Sequence, residues 1–275
     1  MKPADVTLAH EAAVRSQLVR DVDGRELADW LAEEVPVAIV VNGISHAVMM
    51  ASPTDLQDFA FGFLITEGLV SSASDIYGVD VKTVDRGIEL QVEVSAECEW
   101  RLRERRRSMA GRTGCGLCGT DSLDQVRQSL PTLNPQDVNV RAVLAAHRQL
   151  PAWQALQQAT GATHAAAWCD LQGKILLVRE DVGRHNALDK VLGAMVRDGL
   201  DPQAGFVCVT SRASFEMVQK SAMAGVTALA AVSAPTAMAV DLALSCGMWL
   251  AGFVRGERLV QYAGQQGPKE GKTNP

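Results

Sequence analysis

The 275-residue sequence has no excess of positive charge, because 26 lysines and arginines face 32 aspartates and glutamates and leave a formal net charge of −6. General nucleic-acid binding requires a basic surface, so this function class is not expected. Repeats and low-complexity arrays are also missing. With 47% hydrophobic and 21% charged residues, the composition excludes collagen-like, coiled-coil and wholly disordered chains and fits one large or two small globular domains.

Long, strongly apolar runs are missing too. The first residues contain no uninterrupted apolar segment, so no secretory signal is expected. The uncharged stretch 221–240 consists mostly of small residues and includes Gly225 and Pro235. It predicts a buried strand, turn and helix rather than a membrane span, which needs about 20 strongly apolar residues. We therefore expect a cytoplasmic protein without a membrane span.

Cysteines are few, and only two of the six lie close together. Without a secretory signal, a disulfide framework is not expected. The four that stand singly in apolar surroundings are expected to be small buried side chains; they are Cys98, Cys169, Cys208 and Cys246. Cys115 and Cys118 differ, because they form a close pair in a glycine-rich segment.

The first hundred residues predict a small α+β unit. Asn42-Gly43 separates two apolar runs, and both residues accept the positive φ of a tight hairpin turn. A helix is expected after Asp55, with Gly68 as its stop signal. The predicted elements are strands at 35–41, 44–50 and 88–94 and this helix.

The sequence after residue 136 predicts an α/β arrangement. Strands that alternate with helices indicate crossover units and a mainly parallel sheet covered on both faces. Helices are predicted at 138–150, 153–160, 187–196, 215–224 and after Thr236, and strands at 163–169, 174–179, 205–209, 226–232, 252–254 and 259–262.

Between the two patterns lies the most basic stretch of the chain, from Arg101 to Arg112, which runs into the glycine-rich segment of the cysteine pair. We interpret it as a connection that ends in a mobile loop. The predicted division is a small α+β domain at 1–108, an α/β domain at 109–263 and a disordered tail at 264–275.

The spacing of Cys115 and Cys118 fits three chemistries. A structural zinc site needs four ligands, but no second pair or histidine pair accompanies this one. A thioredoxin-like dithiol would lie at a helix start after a strand. Neighbouring glycines give reach, and neighbouring arginines favour the nucleophilic thiolate. Nucleophilic or redox work, such as carrying sulfur as a persulfide, is therefore favoured over a metal site or an inert pair.

Three loops of the second half follow predicted strands and precede predicted helices. In an open α/β sheet such loops meet at one edge, where helix N-termini and arginines attract anions. Together with the basic segment 253–258 they predict a pocket for an anionic, nucleotide-like ligand. The alternative is that these residues are ordinary helix caps and solvated arginines. The candidate residues are Arg184, His185, Asn186, Ser211, Arg212, Ser214, Ser233 and Thr236.

Other polar residues of the second half have simpler interpretations. His164 lies in an apolar strand and is expected to be a hydrogen-bonded core histidine, and His185 is more typical of a hydrogen-bonding group than of an acid or base. Glu216 and Lys220 are four residues apart on a predicted helix, so they are expected to pair with each other.

Six motifs, taken together and in order, make the chain resemble the formate dehydrogenase accessory sulfurtransferase family. The motifs are GRTGCGLCG, THAAAW, EDVGRHNALDK, TSRASFEMVQKSAMAGV, SAPTAMAVDLA and FVRGER. The resemblance runs from the Asn42-Gly43 turn to Tyr262. It implies that the α/β domain at 109–263 is a three-layer domain with the cytidine-deaminase-like fold, and that the protein is a homodimer.

The resemblance also implies a function and its residues. A cysteine desulfurase would pass sulfur to Cys115, with Cys118 as its partner. The persulfide would then supply the sulfido ligand of the bis(molybdopterin guanine dinucleotide) cofactor, which goes to formate dehydrogenase. The cofactor is a bound substrate, and GDP would mimic it in vitro. The stretch that would bind the cofactor comprises Phe253, Val254, Arg255, Gly256, Glu257 and Arg258.

The deaminase metal site is absent from the sequence, because His164 is followed two residues on by Ala166 where the proton-shuttling glutamate would stand. We therefore expect no metal ligands. Two further hypotheses stay open: a chaperone that delivers finished cofactor without passing sulfur through its own thiols, and a zinc-binding regulatory domain.

Overall fold

The computed structural model describes residues 12–100, 102 and 130–264. These residues form a two-stranded hairpin, a four-stranded sheet and a six-stranded sheet, with helices packed on the two larger sheets. The elements in chain order are β1 (Val14–Arg20), β2 (Glu26–Ala32), β3 (Val35–Val41), β4 (Ile44–Ala51), α1 (Leu56–Thr66), β5 (Ile76–Val84), β6 (Gly87–Val94), α2 (Val140–Gln149), α3 (Ala155–Thr160), β7 (His164–Asp170), β8 (Ile175–Asp181), α4 (Arg184–Arg197), β9 (Gly205–Val209), α5 (Phe215–Met223), β10 (Ala228–Ala231), α6 (Ala237–Cys246), β11 (Trp249–Arg255) and β12 (Arg258–Ala263).

The four-stranded sheet has the order β4-β3-β6-β5 and packs one face against α1. The predicted hairpin is confirmed: β3 and β4 pair antiparallel, and their turn holds Asn42 and Gly43 at φ of 45° and 76°. Apolar residues from alternate strand positions and from α1 fill the core between sheet and helix. The sequence analysis does not predict β1, β2 or β5, which are largely exposed.

The six-stranded sheet has the order β12-β11-β10-β9-β7-β8. Because β8 and β9 both pair antiparallel with β7, strands β8, β9, β10 and β11 run in one direction. The expectation of a mainly parallel sheet is correct in that these four strands run in the same direction. It is wrong in that most neighbouring strands of the sheet pair antiparallel. Three of the five pairings are antiparallel, because β7 enters the sheet between β8 and β9 and β12 returns beside β11 as a hairpin.

Helices cover both faces of this sheet, as the alternation predicts. On one face α4, α5 and α6 bury a core that includes Leu188, Met217 and Leu229, and on the other face α2 packs over Trp249. Burial on both faces explains why β9 and β10 are apolar at nearly every position. All predicted elements from residue 138 onwards are present, with their ends shifted by a few residues.

The two larger sheets meet where α1 crosses α4 at very short range. A Cβ atom on Gly62 would lie 1.8 Å from the Asp189 carbonyl oxygen, and one on Gly193 would lie 1.8 Å from the Asp58 carbonyl oxygen. Only glycine permits this approach, because any side chain would overlap the opposite backbone. The crossing fixes α4, and therefore its first residue, against the four-stranded sheet.

Buried charges complete the contact between the sheets. Lys190 and Asp181 are fully buried with Nζ 2.7 Å from Oδ2, and both bind Ser52 of the first half: the Ser52 N–H donates to Asp181, and Lys190 donates to the Ser52 carbonyl oxygen. Burial lowers the pKa of Lys190, and Asp181 opposes that change. We call the contacts of residues 50–67 with residues 179–197 and Lys220 the inter-sheet interface.

Candidate functional site

The carboxyl ends of the four co-directional strands lie at one edge of the six-stranded sheet. The loops that leave β8, β9 and β10 each lead into the N-terminus of a helix, α4, α5 and α6, and β11 leads into the tight turn to β12. We call this edge the rim: residues 182–184, 210–214, 232–236 and 253–258. Such an edge is where α/β sheets bind ligands, and helix N-termini there present free N–H groups to anions.

Backbone hydrogen bonds join the rim loops to one another beyond the ends of the strands. The Ser233 N–H donates to the Ser211 carbonyl oxygen at 3.3 Å, the Thr236 N–H donates to that of Ala213 at 3.1 Å, and the Phe253 N–H donates to that of Ser233 at 3.2 Å. The segments 210–214, 232–236 and 253–258 therefore form one connected surface. The structure brings the predicted residues of the β9 and β10 loops together with the segment at 253–258.

Two polar atoms at the helix starts of the rim are buried without a protein partner. Arg184 Nε and Ser214 Oγ are both shielded from solvent and have no hydrogen-bond partner among the described residues. Ser214 caps α5 by position but its side chain accepts no bond from the helix, whereas Thr236 accepts one from the Ala239 N–H on α6. A buried unpaired polar group costs free energy, so such atoms indicate a place where a ligand or water completes the bonding.

Two histidines, His164 and His185, lie near Arg184 and have lowered pKa values. His185 Nε2 lies 2.8 Å from Glu216 Oε2. Burial lowers the pKa of His185; Glu216 opposes this change and Arg184 reinforces it. Burial, together with the charge of Arg184, also lowers the pKa of His164. A neutral imidazole can donate and accept hydrogen bonds beside a phosphate without adding charge.

The expected pairing of Glu216 with Lys220 is wrong. Glu216 approaches His185 instead, while Lys220 Nζ lies 2.9 Å from Asp189 Oδ2 and 2.7 Å from Glu67 Oε1 in the inter-sheet interface. Burial would lower the pKa of Lys220, but the two carboxylates outweigh it and raise that pKa. Helical spacing permits the expected pair, but Lys220 instead binds the buried Asp189 and the half-buried Glu67, and an ion pair with an exposed carboxylate such as Glu216 contributes little.

Asn186 belongs to the interface more than to the rim. It is buried, and its amide donates to the Met50 carbonyl oxygen at 2.8 Å and to Asp181 Oδ1 at 3.0 Å. The EDVGRHNALDK motif therefore serves two regions, since Arg184 lies at the rim with His185 directly after it, while its other charged residues are buried. The helical spacing of Asn186, Lys190 and Gly193 is the sequence signal for this buried face.

The segment at 253–258 turns tightly at the end of the rim. Phe253 is exposed and adopts a φ of 52°, which is unusual for a residue with a side chain. Val254 is buried, and Arg255 Nε donates to the Val232 carbonyl oxygen at 3.2 Å. Gly256 supplies the second positive φ, of 57°. Of the last two residues, Glu257 forms an ion pair with Arg148 of α2, and the Arg258 side chain is exposed.

The cysteine pair Cys115 and Cys118, the basic segment before it and residues 265–275 lie outside the described residues. The other four cysteines are buried, as expected. Among the residues that the structure describes, no group of three or more His, Cys, Asp or Glu side chains could hold a metal ion. No helix in the same part of the chain has the length and apolar character needed to cross a membrane.

Comparison with known proteins places the chain among named relatives. It is 54% identical over 246 residues to the sulfur carrier protein FdhD of Variovorax paradoxus, covering 89% of this chain and 88% of that protein. It is 56% identical over 239 residues to the sulfur carrier protein FdhD of Cupriavidus necator, covering 86% of this chain and 83% of that protein.

A solved structure shares the fold. The crystal structure of a protein from Desulfotalea psychrophila, proposed to be a formate dehydrogenase accessory protein, matches with a TM-score of 0.71, 23% identity and coverage of 91% of this chain and 96% of that one. The model of the FdhD/NarQ family matches residues 32–268, which include both larger sheets and the whole rim. The chain therefore belongs to the FdhD/NarQ family.

Proposed function

We propose that this protein is a sulfur carrier that takes persulfide sulfur from a cysteine desulfurase and transfers it to the bis(molybdopterin guanine dinucleotide) cofactor required by formate dehydrogenase. The observation that carries this proposal is the similarity, over 89% of the chain, to relatives that are named sulfur carrier proteins. The chain acts in the cytoplasm as a sulfurtransferase with a cysteine persulfide intermediate.

Burial of the other thiols supports Cys115 as the residue that carries sulfur. Cys98, Cys169 and Cys208 are fully buried, and Cys246 is 3% exposed. Burial raises the pKa of Cys208 and of Cys246, so both stay protonated and unreactive. Of the six cysteines, only Cys115 and Cys118 remain as candidates, and the arginines that precede them in sequence favour the thiolate.

The first chemical step is an exchange at sulfur. The Cys115 thiolate attacks the terminal sulfur of the donor persulfide, a new S–S bond forms on Cys115, and the donor leaves as its thiolate. Onward transfer as sulfide needs two electrons. Attack of the Cys118 thiolate on the inner sulfur of the Cys115 persulfide supplies them, because it forms the Cys115–Cys118 disulfide and releases hydrosulfide.

The rim is the proposed binding site for the cofactor, which is the substrate here. Its diphosphates would lie on the N-termini of α4, α5 and α6, where Arg184 and Arg212 add charge-assisted hydrogen bonds and Ser214 Oγ gains the partner that it lacks among the described residues. Ser211, Ser233, Thr236 and the segment 253–258 line the same surface. GDP carries the same diphosphate and guanine and serves as the test ligand.

The finer architecture belongs to the same proposal. We assign residues 109–263 to a three-layer domain of the cytidine-deaminase-like fold, residues 1–108 to a smaller α+β domain and residues 264–275 to a tail, and we propose that the protein works as a homodimer. The mixed six-stranded sheet with helices on both faces supports the first assignment.

Sulfur loading tests the proposal directly. After incubation of the purified protein with a cysteine desulfurase and cysteine, mass spectrometry should find one extra sulfur atom on the peptide that contains Cys115 and Cys118. The Cys115→Ala variant should lose this gain completely, whereas Cys118→Ala, the matched control, should keep it. Formate dehydrogenase made with Cys115→Ala should contain cofactor but lack activity.

The alternative is a chaperone that delivers finished cofactor without using its own thiols. It predicts no sulfur gain on the wild-type protein together with intact GDP binding. Full formate dehydrogenase activity with Cys115→Ala would likewise exclude Cys115 as the carrier.

A further inference from the structure

The loop that leads from β8 into α4 is held by a residue of the first half of the chain. Ser52 directly follows β4 and is fully buried. Its Oγ accepts the Val182 N–H at 3.2 Å, and its own backbone N–H donates to Asp181 Oδ2 at 3.0 Å. Ser52 therefore contacts two successive residues of the loop, directly before the helix start that carries Arg184.

Asp181 is the centre of the hydrogen bonds within this loop. Its Oδ1 accepts the Gly183 N–H at 2.8 Å and the Asn186 amide at 3.0 Å. Its Oδ2 accepts the Ser52 N–H and lies 2.7 Å from Lys190 Nζ. Because Lys190 neutralises the carboxylate, Asp181 orders the start of α4 without leaving a net negative charge that would repel an anion at this helix N-terminus.

The surroundings of Gly183 show that the loop has little space to move. Gly183 is the N-cap residue of α4, and a Cβ atom there would lie 2.9 Å from Asn186 Nδ2 and 3.4 Å from Asp181 Oδ1. These contacts on one side and Ser52 on the other fix the direction in which Arg184 leaves the loop. Arg184 Nε is buried and has no hydrogen-bond partner among the described residues, so it keeps a donor for a ligand.

We propose that Ser52 is a positioning residue of the rim: together with Asp181, it holds the start of α4 so that Arg184 meets the phosphates of a bound nucleotide in a single orientation. The inference rests on the proposed nucleotide-binding rim and adds a role for the first half of the chain, which contributes no residue to the rim. A donor that is already oriented binds more tightly, because its order does not have to be gained on binding.

A cycle of single and double variants in the full-length protein tests this role. Ser52→Ala removes only the acceptor of the Val182 N–H, and calorimetric titration should show GDP binding weakened by about fivefold, the equivalent of one neutral hydrogen bond. When Arg184→Ala is already present, Ser52→Ala should have no further effect on GDP affinity, because Ser52 acts through Arg184.

The matched control is Ser221→Ala on α5. Ser221 is as fully buried as Ser52, and its Oγ donates to the Met217 carbonyl oxygen at 2.8 Å. Its loss removes a buried hydroxyl of the same kind without touching the loop before α4, so GDP affinity should not change. A second variant, Gly183→Ala, disturbs the loop from the side opposite Ser52 and should weaken GDP binding by at least as much, again only while Arg184 is present.

The outcomes separate this inference from the proposed function. If Ser52→Ala and Gly183→Ala bound GDP as tightly as the wild type, the positioning role would be wrong and the rim would stand. An equal loss of affinity with and without Arg184, in variants whose circular dichroism matches the wild type, would also overturn the inference, since a general structural effect does not depend on that side chain. A wild-type protein that binds no GDP would overturn the nucleotide site, and the positioning role with it.

Discussion

The inter-sheet interface and the rim use the same kinds of side chain but satisfy them differently. In the interface, Lys220 bonds to two carboxylates and a hydroxyl, and Lys190 and Asp181 satisfy each other and the Ser52 backbone. At the rim, the buried Arg184 Nε and Ser214 Oγ lack partners among the described residues. The paired charges hold the two sheets together, although Thr54 Oγ1 in the interface is also buried without a hydrogen-bond partner among the described residues. At the rim the unpaired atoms lie at helix N-termini, where an anionic ligand can complete their bonding.

The largest effect should come from removing one charge of the interface. Lys190→Met leaves Asp181 buried without its ammonium partner, and breaking a buried pair in this way costs about 3–5 kcal/mol. Urea denaturation at neutral pH measures the loss. The double variant Lys190→Met with Asp181→Asn should be more stable than the single one, because it leaves no unpaired charge. A single variant within about 0.5 kcal/mol of wild type would contradict the structural role.

The second largest effect is a pH dependence of stability caused by His147, a buried histidine away from the rim. Burial lowers the pKa of His147 on α2 from 6.5 to about 4, although a hydrogen bond to the Ala230 backbone opposes it. The unfolded chain therefore takes up this proton first, so stability is complete above pH 6.5 and falls as the pH drops towards about 4. The loss reaches about 3 kcal/mol.

Denaturation at about pH 7 and about pH 4.5 measures this contribution. His147→Gln replaces the imidazole by a side chain that does not titrate, so its stability should fall less between the two pH values than that of the wild type. Equal losses in the two proteins would show that His147 is not the group responsible.

The smallest energetic effect, and the sharpest contrast with the interface, is expected at the rim. Arg212 is exposed, so Arg212→Ala should change the free energy of unfolding by less than about 0.5 kcal/mol. The same change should weaken GDP binding by about tenfold, because one charge-assisted contact to phosphate is lost. Arg86→Ala, on the β5–β6 turn, is the matched control. If Arg212→Ala bound GDP as tightly as the wild type, the proposed position of the phosphates at this loop would be wrong.

Local sequence patterns predict most of the fold for identifiable reasons. Asn42-Gly43 predicts its turn because both residues tolerate positive φ. Short, almost entirely apolar runs predict strands β9 and β10, because these strands are buried on both faces of the sheet. Local patterns do not predict which strands pair with one another. The position of β7 between β8 and β9 depends on contacts between residues that are distant in sequence. Exposed strands such as β1 carry no apolar pattern and leave no such signal.

The candidate site is only partly readable from the sequence. Loops between strands and helices predict the position of Arg184, Arg212 and Ser214 at one edge, since co-directional strands end together. The partners of polar side chains in a helix do not follow from spacing. Lys220 shows this, because the carboxylates that bind it come from Asp189 and Glu67, one of them more than 150 residues away.

The residues that meet in the inter-sheet interface are far apart in the sequence, and this separation affects folding during synthesis. Ser52 bonds to Asp181, 129 residues further on. At roughly 5–20 residues per second, a ribosome needs about 6–26 seconds to synthesise that span. Throughout this interval the newly made α1 carries Gly62 and the Asp58 carboxylate without the helix α4 that later packs against them. The nascent polypeptide is therefore most exposed to misassociation before its second half emerges.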